Sequence, residues 1–156
     1  MSYFFSNNLE IKPKANRKGV FSKIKYNKND IIYEFVGDRI SDLPSDIRYV
    51  QVGKSNFIVP SGSFQDYTNH SCAPNSYISI SGARVFLIAL CEINVGDEIC
   101  WDYSTSSTED KSTFNLSCSC GSINCRSEIS GFQYLDSNIK NNYINMGIIP
   151  DYLVNK

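Results

Sequence analysis

The chain has 156 residues, of which 42% are hydrophobic and 20% are charged, and its formal net charge is −1. This length and composition are typical of an ordinary soluble protein with one domain and a real core. The low net charge argues against a nucleic-acid-binding surface over the whole molecule, although it permits an acidic groove for a basic partner.

The longest apolar run, residues 85–91, is too short to cross a bilayer, so no membrane segment is expected. The opening residues MSYFFSNN lack the basic and long apolar regions of a signal peptide. We therefore expect an intracellular protein. The chain contains six cysteines, and in a reducing compartment these indicate metal ligands or buried thiols rather than disulfides.

Most of the chain has the pattern of short strands joined by turns. Residues 13–18 are expected to form a basic loop, and residues 40–48 hold at most one helical turn. The run at 84–91 is almost wholly apolar, which predicts a strand buried on both faces. Strands are predicted at 9–12, 19–21, 30–36, 49–52, 56–59, 77–80, 84–91 and 98–103.

The composition changes after residue 103. Residues 104–117 are rich in serine and threonine, which predicts a mobile linker. Residues 137–146 are the best helix candidate, because their apolar side chains are partly in phase and Gly147 follows as a stop signal. Pro150 then prevents the helix from continuing.

Polar and sulfur-containing side chains converge in the segment YTNHSCAPN, residues 67–75. It holds the only histidine of the chain, His70. Taken alone, the segment favours a tight loop capped by Asn69 and Ser71 over a functional site. Two later features favour a site instead: the segment GDEICWDYS at residues 96–104 and a cluster of cysteines beyond it.

The cysteines fall into two groups. Cys91 and Cys100 lie within apolar strand patterns, so both are predicted to be buried structural thiols. The others in the second half of the chain follow the spacing C-x-C-x4-C, at Cys118, Cys120 and Cys125. Three thiols so close together predict a tetrahedral zinc site, with free surface thiols as the less favoured alternative. The spacing alone leaves the fourth ligand open between His70 and Cys72.

The combination of NHSC, GDEICWDY and C-x-C-x4-C-R resembles the SET domain protein-lysine methyltransferases that carry a post-SET zinc loop. The segments RKGVFSK and YEFVGDRIS resemble the opening strands of that family. The resemblance implies a mostly-β fold: small curved sheets, a threaded C-terminal segment, the zinc loop and a short C-terminal helix. The implied organisation is a SET domain at 1–104, a linker and post-SET zinc loop at 105–130, and a C-terminal extension with the helix at 131–156.

The resemblance also implies a cofactor site and a zinc site. The positions that correspond to S-adenosylmethionine contacts are Lys18, Gly19, Val20, Asn69 and His70. In the family the histidine acts largely through its main chain, which leaves Cys72 to complete the zinc site. The implied zinc ligands are Cys72, Cys118, Cys120 and Cys125.

The implied catalytic residue is Tyr103. Trp101 and Phe35 correspond to walls of the channel that holds the substrate lysine. In the family a tyrosine at the Trp101 position restricts the product to one methyl group, whereas phenylalanine allows further rounds. Since neither Trp101 nor Phe35 carries a hydroxyl, the sequence favours a dimethyl or trimethyl product.

The chain departs from the family pattern in three places. Arg17 stands where the first glycine of a Gly-x-Gly is usual, and the insert at residues 40–48 is very short. No aromatic residue closely follows the last zinc cysteine, so Ile129, or Phe132 further on, is expected to cover the adenine ring. Arg17 and the short insert are the best support for an alternative, a catalytically silent, zinc-stabilised module that binds a protein partner.

The implied reaction is methyl transfer from S-adenosylmethionine to a lysine of a protein substrate, for which a histone tail is a plausible case. Free lysine has a pKa of ~10.4, so a dry aromatic channel is needed to favour the neutral amine. A third interpretation is a zinc module that binds nucleic acid. The sequence lacks the basic stripe that such a module needs, so direct nucleic-acid binding is not expected.

Overall fold

The computed structural model describes residues 6–46, 48–109 and 116–154. Within these ranges the strands are β1 Leu9–Lys14, β2 Arg17–Ser22, β3 Ile31–Glu34, β4 Arg39–Ile40, β5 Val50–Gly53, β6 Asn56–Ile58, β7 Asn69–His70, β8 Ser76–Ser81, β9 Arg84–Ala89 and β10 Cys100–Trp101. The α-helices are α1 Ser137–Asn145 and α2 Asp151–Val154. None of the described helices is long and apolar enough to cross a membrane.

The strands form three small sheets. Their strand orders are β1-β2, β3-β9-β8-β10-β7 and β4-β6-β5. Most neighbours are antiparallel, but the late strand β10 lies between β8 and β7 and is parallel to both. The expected mostly-β architecture is therefore confirmed, and a segment from late in the chain occupies the interior of a sheet made from earlier strands.

The first hairpin is longer than the sequence predicts. β1 continues to Lys14 and β2 begins at Arg17, so the prediction of a loop at residues 13–18 is wrong. Ala15 makes the tight turn with a φ of 51°. Pro13 is tolerated because this sheet has only two strands, and a proline on an edge strand removes no necessary ladder hydrogen bond.

β9 is not buried on both faces. Val85, Leu87 and Ala89 are buried, whereas the alternate residues Phe86 and Ile88 are only half-buried. The sheet packs against the main core through one face, and the Arg84 guanidinium lies 4.8 Å from the centre of the Phe86 ring on the other. The run of apolar residues in β9 therefore does not indicate burial on both faces of the strand. One face packs in the core and the other is only partly covered.

The prediction that Cys91 and Cys100 are buried thiols is wrong for Cys91. Cys91 lies beyond the end of β9 and is exposed. Cys100 lies in β10 and is half-buried, and burial, with a smaller contribution from Glu98, raises the pKa of its thiol to about 12. Cys100 is therefore protonated at neutral pH and unreactive as a nucleophile.

The predicted mobile linker is partly wrong. Residues 104–107 are buried, and Tyr103–Thr105 forms a 3-10 turn. The small polar side chains are buried without penalty because they hydrogen-bond locally: Thr105 Oγ1 donates to the Asp102 carbonyl at 2.7 Å. Residues 110–115, the middle of the predicted linker, lie outside the described residues.

A second apolar cluster joins the C-terminal part of the chain to the main body. Its buried members are Phe132, Leu135, Tyr143 and Ile148, and Tyr77 and Leu90 of the main body pack against it. The helix predicted at residues 137–146 is confirmed as α1. Asp136 caps it by accepting from the Asn138 N–H at 2.8 Å, and Gly147 ends it with a φ of 70°.

Candidate functional site

The two segments singled out in the sequence meet side by side. Strand β7 pairs with β10, which sets Asn69 opposite Cys100 and His70 opposite Trp101. The interpretation of this segment as a tight loop capped by Asn69 and Ser71 is wrong for Asn69, which belongs to β7, whereas the Ser71 hydroxyl does accept from the Ala73 N–H at 3.1 Å. This pairing brings the histidine segment against the strand that leads directly to Tyr103.

A cavity of about 420 Å³ opens beside this strand pair. The predicted site residues that line it are Lys18, Asn69, His70, Trp101, Tyr103 and Ile129. Gly19 and Val20 are buried and are not among the lining residues. Phe35 packs in the core with its ring centre 5.1 Å from that of Tyr33, and it is not one of the lining residues. The structure therefore brings most of the predicted site together, with Phe35 one layer behind.

Asn69 connects the first hairpin to the β10 side of the site. Its amide nitrogen donates to the Lys18 carbonyl at 2.9 Å and to Glu98 Oε1 at 2.8 Å. Glu98 also forms a close ion pair with Lys14. A Cβ added at Gly19 would lie 2.5 Å from Glu98 Oε1 and 3.2 Å from the Asn69 amide nitrogen. A side chain at position 19 would therefore require the Glu98 carboxylate, and with it the hydrogen bond from Asn69, to shift.

His70 is buried and neutral. Burial lowers the pKa of its imidazole to about 4, despite the opposing effect of Asp102. Its Nδ1 accepts a hydrogen bond from the Tyr103 main-chain N–H at 3.1 Å, and its Nε2 lies 3.4 Å from Cys72 Sγ. The ring therefore fixes the start of the turn that presents Tyr103.

The Tyr103 hydroxyl is held in one orientation. It donates to the Thr68 carbonyl at 2.8 Å, and burial raises its pKa well above the ordinary value. The Tyr33 hydroxyl lies 2.9 Å from the Thr68 Oγ1, and the Trp101 ring centre lies 4.9 Å from that of Tyr103. With its proton directed at Thr68, the phenol oxygen keeps its lone pairs as acceptors for another donor.

Four cysteines converge at one end of the site. The sulfur atoms of Cys72, Cys118, Cys120 and Cys125 all lie within 4.8 Å of one another. Cys118 Sγ is 3.8 Å from Cys72 Sγ and 3.6 Å from Cys125 Sγ. Zinc–sulfur bonds of ~2.3 Å in a tetrahedron place sulfurs roughly 3.8 Å apart, so this donor set fits zinc. Of the two candidates that the spacing left open for the fourth position, Cys72 is the one whose sulfur completes the group of four, and His70 Nε2 lies 3.4 Å from that sulfur.

A family model described as SET domain matches residues 17–104. The chain belongs to the SET domain family. The similarity identified from NHSC and GDEICWDY is thereby confirmed.

Curated relatives of this SET domain protein include several histone-lysine methyltransferases. Histone-lysine N-methyltransferase TRX1 of Oryza sativa subsp. japonica is 30% identical over 132 residues, which covers 72% of this chain and 12% of that protein. A Schizosaccharomyces pombe enzyme named as H3 lysine-4 specific is 32% identical over 127 residues, covering 69% of this chain and 13% of that one. This chain thus matches only a small part of these relatives.

Among solved structures, similar chains occur in crystal structures of KRYPTONITE. One, in complex with mCHG DNA and SAH, has a TM-score of 0.65 and 26% identity, and the match covers 78% of this chain and 28% of that one. Another complex contains mCHH DNA, an H3(1-15) peptide and SAH, with a TM-score of 0.62 and 27% identity. The match there covers 78% of this chain and 29% of that one.

Several residues near the cavity were not singled out from the sequence. The Thr68 carbonyl accepts from the Tyr103 hydroxyl, the Tyr33 hydroxyl contacts Thr68 Oγ1, and Gln51 lines the cavity wall. Asp102 is fully buried beside His70. The signal for Asp102 was present, because a charged residue between two aromatic residues of a predicted strand requires a buried partner.

Proposed function

We propose that this SET domain protein transfers a methyl group from S-adenosylmethionine to the side-chain amine of a lysine in a protein substrate. The observation that carries the proposal is the convergence of Asn69, His70, Trp101 and Tyr103 on one cavity. The names of the relatives and the SAH in the KRYPTONITE complexes support it. The proposed zinc ligands are cysteines, which must stay reduced in order to bind the metal. An intracellular location, where thiols are kept reduced, is therefore proposed.

When bound, S-adenosylmethionine supplies a methyl carbon that is electrophilic because it is attached to a sulfonium. The chain must then orient a neutral amine in line with that carbon and keep water away. The Tyr103 oxygen is suited to accept an amine N–H, since its own proton is committed to the Thr68 carbonyl. Such an arrangement would leave the amine lone pair free to attack the methyl carbon, with S-adenosylhomocysteine as the leaving group, and the methylated ammonium would then lose its proton to solvent.

The aromatic walls have an electrostatic role. Trp101 is almost completely buried and packs at an angle of 49° against Tyr103. An ammonium group entering such a dry site loses hydration, which lowers its pKa towards the neutral form. Tyr103 remains an uncharged phenol, because burial raises its pKa. Phe35 contributes indirectly, since it packs against Tyr33, which contacts Thr68.

The cofactor is proposed to lie along the wall formed by Lys18, Asn69 and His70. Gly19 and Val20 belong to the strand that carries the Lys18 main chain, and the Val20 carbonyl is occupied by the Ile99 N–H at 2.8 Å. Ile129 is nearly buried at the cavity edge, which supports a role as the cover of the adenine ring. Phe132 is instead buried in the second apolar cluster.

We expect Gly19→Ala to raise the Kd for S-adenosylmethionine about tenfold, which corresponds to a loss of ~1.4 kcal/mol of binding free energy. The added methyl would displace the Glu98 carboxylate. Because this carboxylate accepts a hydrogen bond from the Asn69 amide, the Asn69 side chain would shift as well. Isothermal titration calorimetry measures the change. As a control, Gly82→Ala lies in an exposed turn with a φ of 58° and should reduce stability without changing affinity. Equal affinities for parent and Gly19→Ala would contradict the proposed cofactor position.

Zinc is proposed to bind Cys72, Cys118, Cys120 and Cys125 and to have a structural role. Four sulfur ligands leave no open position, as in structural rather than catalytic zinc sites. The loop is tied to the cavity edge by main-chain bonds, from Cys118 N–H to the Ser127 carbonyl at 2.8 Å and from Ile129 N–H to the Leu116 carbonyl at 3.1 Å. Metal binding would therefore hold Ile129 in place.

The degree of methylation is proposed to exceed one methyl group, because Trp101 has no phenol oxygen to anchor a water or the amine. Its only donor is the indole N–H on the ring edge. We expect dimethyl or trimethyl product in time-resolved mass spectrometry with excess cofactor. A product that stops at monomethyl, while Trp101→Phe proceeds further, would establish Trp101 as a steric stop instead.

The substrate is proposed to be a lysine-containing protein segment, and a histone tail is the first case to test. The H3 peptide and the DNA in the KRYPTONITE complexes belong to that protein. We propose that this chain does not bind nucleic acid directly, because its formal net charge is only −1.

The test of the proposed function is mass spectrometry of a histone and peptide panel after incubation with S-adenosylmethionine. Lysine methylation by the parent protein, and none by Tyr103→Phe, would support the proposal. A folded protein that shows no thermal shift with S-adenosylmethionine would favour the silent protein-binding module. Absence of both a thermal shift and methylation would reject the cofactor site itself.

A further inference from the structure

The C-terminal extension, residues 131–154, packs tightly against the segment that follows Tyr103. The Phe132 N–H donates to the Ser107 carbonyl at 2.9 Å, and the Gly131 N–H donates to the Glu109 carbonyl at 2.6 Å. A Cβ at Gly131 would lie 2.7 Å from the Ser107 carbonyl oxygen, so this contact requires glycine. The extension lies beyond the residues matched by the SET domain model, which end at 104.

The extension also reaches the buried carboxylate next to the proposed catalytic tyrosine. Asp102 is 1% exposed. Its Oδ1 accepts from the Arg126 guanidinium at 2.8 Å and from the Ser104 main-chain N–H at 3.0 Å. Its Oδ2 accepts from the Tyr143 hydroxyl of α1 at 2.8 Å. Thus a zinc-loop residue and a helix residue share one carboxylate between Trp101 and Tyr103.

This shared carboxylate controls the turn that presents Tyr103. Asp102 caps the 3-10 turn Tyr103–Thr105 through its bond to the Ser104 N–H. On the other side, the Tyr103 N–H is held by His70 Nδ1, which itself lies 3.4 Å from Asp102 Oδ1. Rotation of the Asp102 carboxylate would therefore disturb two of the bonds that orient Tyr103.

A second tyrosine of the extension contacts two residues that line the cavity. The Tyr152 hydroxyl of α2 lies 2.9 Å from the Gln51 carbonyl and makes a close contact with the Ser106 carbonyl. Gln51 and Ser106 both line the cavity. Burial raises the pKa of Tyr152 well above its ordinary value, so the hydroxyl keeps the proton it donates.

We propose that Tyr143 and Tyr152 are positioning residues for methyl transfer, and that the C-terminal extension is part of the active site. The proposal rests on the proposed function. Tyr143 acts on the turnover step by fixing Asp102 and, through the capped turn, Tyr103. Tyr152 acts on substrate and cofactor binding by holding Gln51 and Ser106 together across the cavity wall.

The experiment compares Tyr143→Phe and Tyr152→Phe in the zinc-loaded chain of 156 residues. Both variants keep the ring and remove only the hydroxyl. For Tyr143→Phe we expect kcat to fall at least tenfold, with KM for S-adenosylmethionine within twofold of the parent. For Tyr152→Phe we expect the larger change in KM. Tyr134→Phe is the matched control, because Tyr134 belongs to the same extension but is 51% exposed.

Amide hydrogen exchange gives a second readout that does not depend on turnover. Tyr143→Phe should accelerate exchange at residues 103–106 at least tenfold while residues of β8 and β9 keep the parent rates. A parent-like kcat and exchange pattern, or faster exchange throughout the chain with loss of zinc, would overturn the proposal. If the parent methylates no substrate, the proposed function fails, and the exchange pattern alone still supports or overturns the coupling of Tyr143 to residues 103–106.

Discussion

Replacing Tyr103 with phenylalanine is expected to lower kcat for lysine methylation by about 100- to 1,000-fold, by analogy with the loss of one preorganised polar contact. This corresponds to roughly 2.7–4 kcal/mol of transition-state stabilisation. The ring would still pack against Trp101, whose centre lies 4.9 Å away, so the cavity keeps its shape. What disappears is the oxygen that Thr68 orients as an acceptor.

The measurement is a single-turnover methylation assay combined with calorimetry of S-adenosylmethionine binding. Affinity for the cofactor should stay within twofold, which separates a lost positioning contact from a collapsed site. Tyr77→Phe is a suitable control, because Tyr77 is partly buried against the second apolar cluster and does not line the cavity. If Tyr103→Phe turns over within threefold of the parent, Tyr103 is not the catalytic tyrosine.

Removal of zinc, or the substitution Cys72→Ala, is expected to destabilise the protein and weaken cofactor binding. Structural zinc contributes folding free energy directly, and a loss of ~3 kcal/mol lowers Tm by roughly 6–12 °C for a chain of this size. Cofactor affinity should fall because the loop that ends at Ile129 loses its attachment to Cys72. Thermal unfolding, metal analysis and calorimetry of the cofactor measure the three effects.

Cys91→Ala is the matched control for the zinc experiment. Cys91 is exposed and stands apart from the four-cysteine group, so its substitution should leave one zinc per chain and an unchanged Tm. The zinc assignment fails if gently purified parent protein holds less than half a zinc per chain. Full metal retention by Cys72→Ala would show that another residue, with His70 the nearest candidate, supplies the fourth ligand.

The sequence predicted the elements whose signals are local. The hairpins β5–β6 and β8–β9 were predicted from apolar runs joined by short turn sequences. Helix α1 was predicted from the spacing of its apolar side chains and from Gly147, which ends it. The errors arose where tertiary contacts outweigh composition. Residues 104–107 have the composition of a linker, yet they are buried because Gly131 and Phe132 pack on them. Cys91 has apolar neighbours in the sequence, yet it is exposed because β9 ends at Ala89.

The candidate site could be predicted in outline because its residues occur in two compact motifs. The pairing of His70 with Trp101, however, is a long-range parallel contact that local periodicity does not encode. The same holds for the contacts of Tyr143 and Tyr152, which come from the end of the chain. A tyrosine in an amphipathic helix is ordinarily a packing residue, so nothing in the sequence distinguished these two.

The position of β10 inside its sheet has a consequence for synthesis. The cavity wall needs segments as far apart as Lys18 and Ile129, and β10 must enter between β8 and β7 after both exist. Contacts so distant in sequence form slowly, because the loop-closure entropy is lost before the contacts compensate for it. A nascent chain emerging at about 5–20 residues per second therefore cannot bind the cofactor until nearly all of it has left the ribosome. Free S-adenosylmethionine should then speed folding of the released chain little, but should slow its later unfolding.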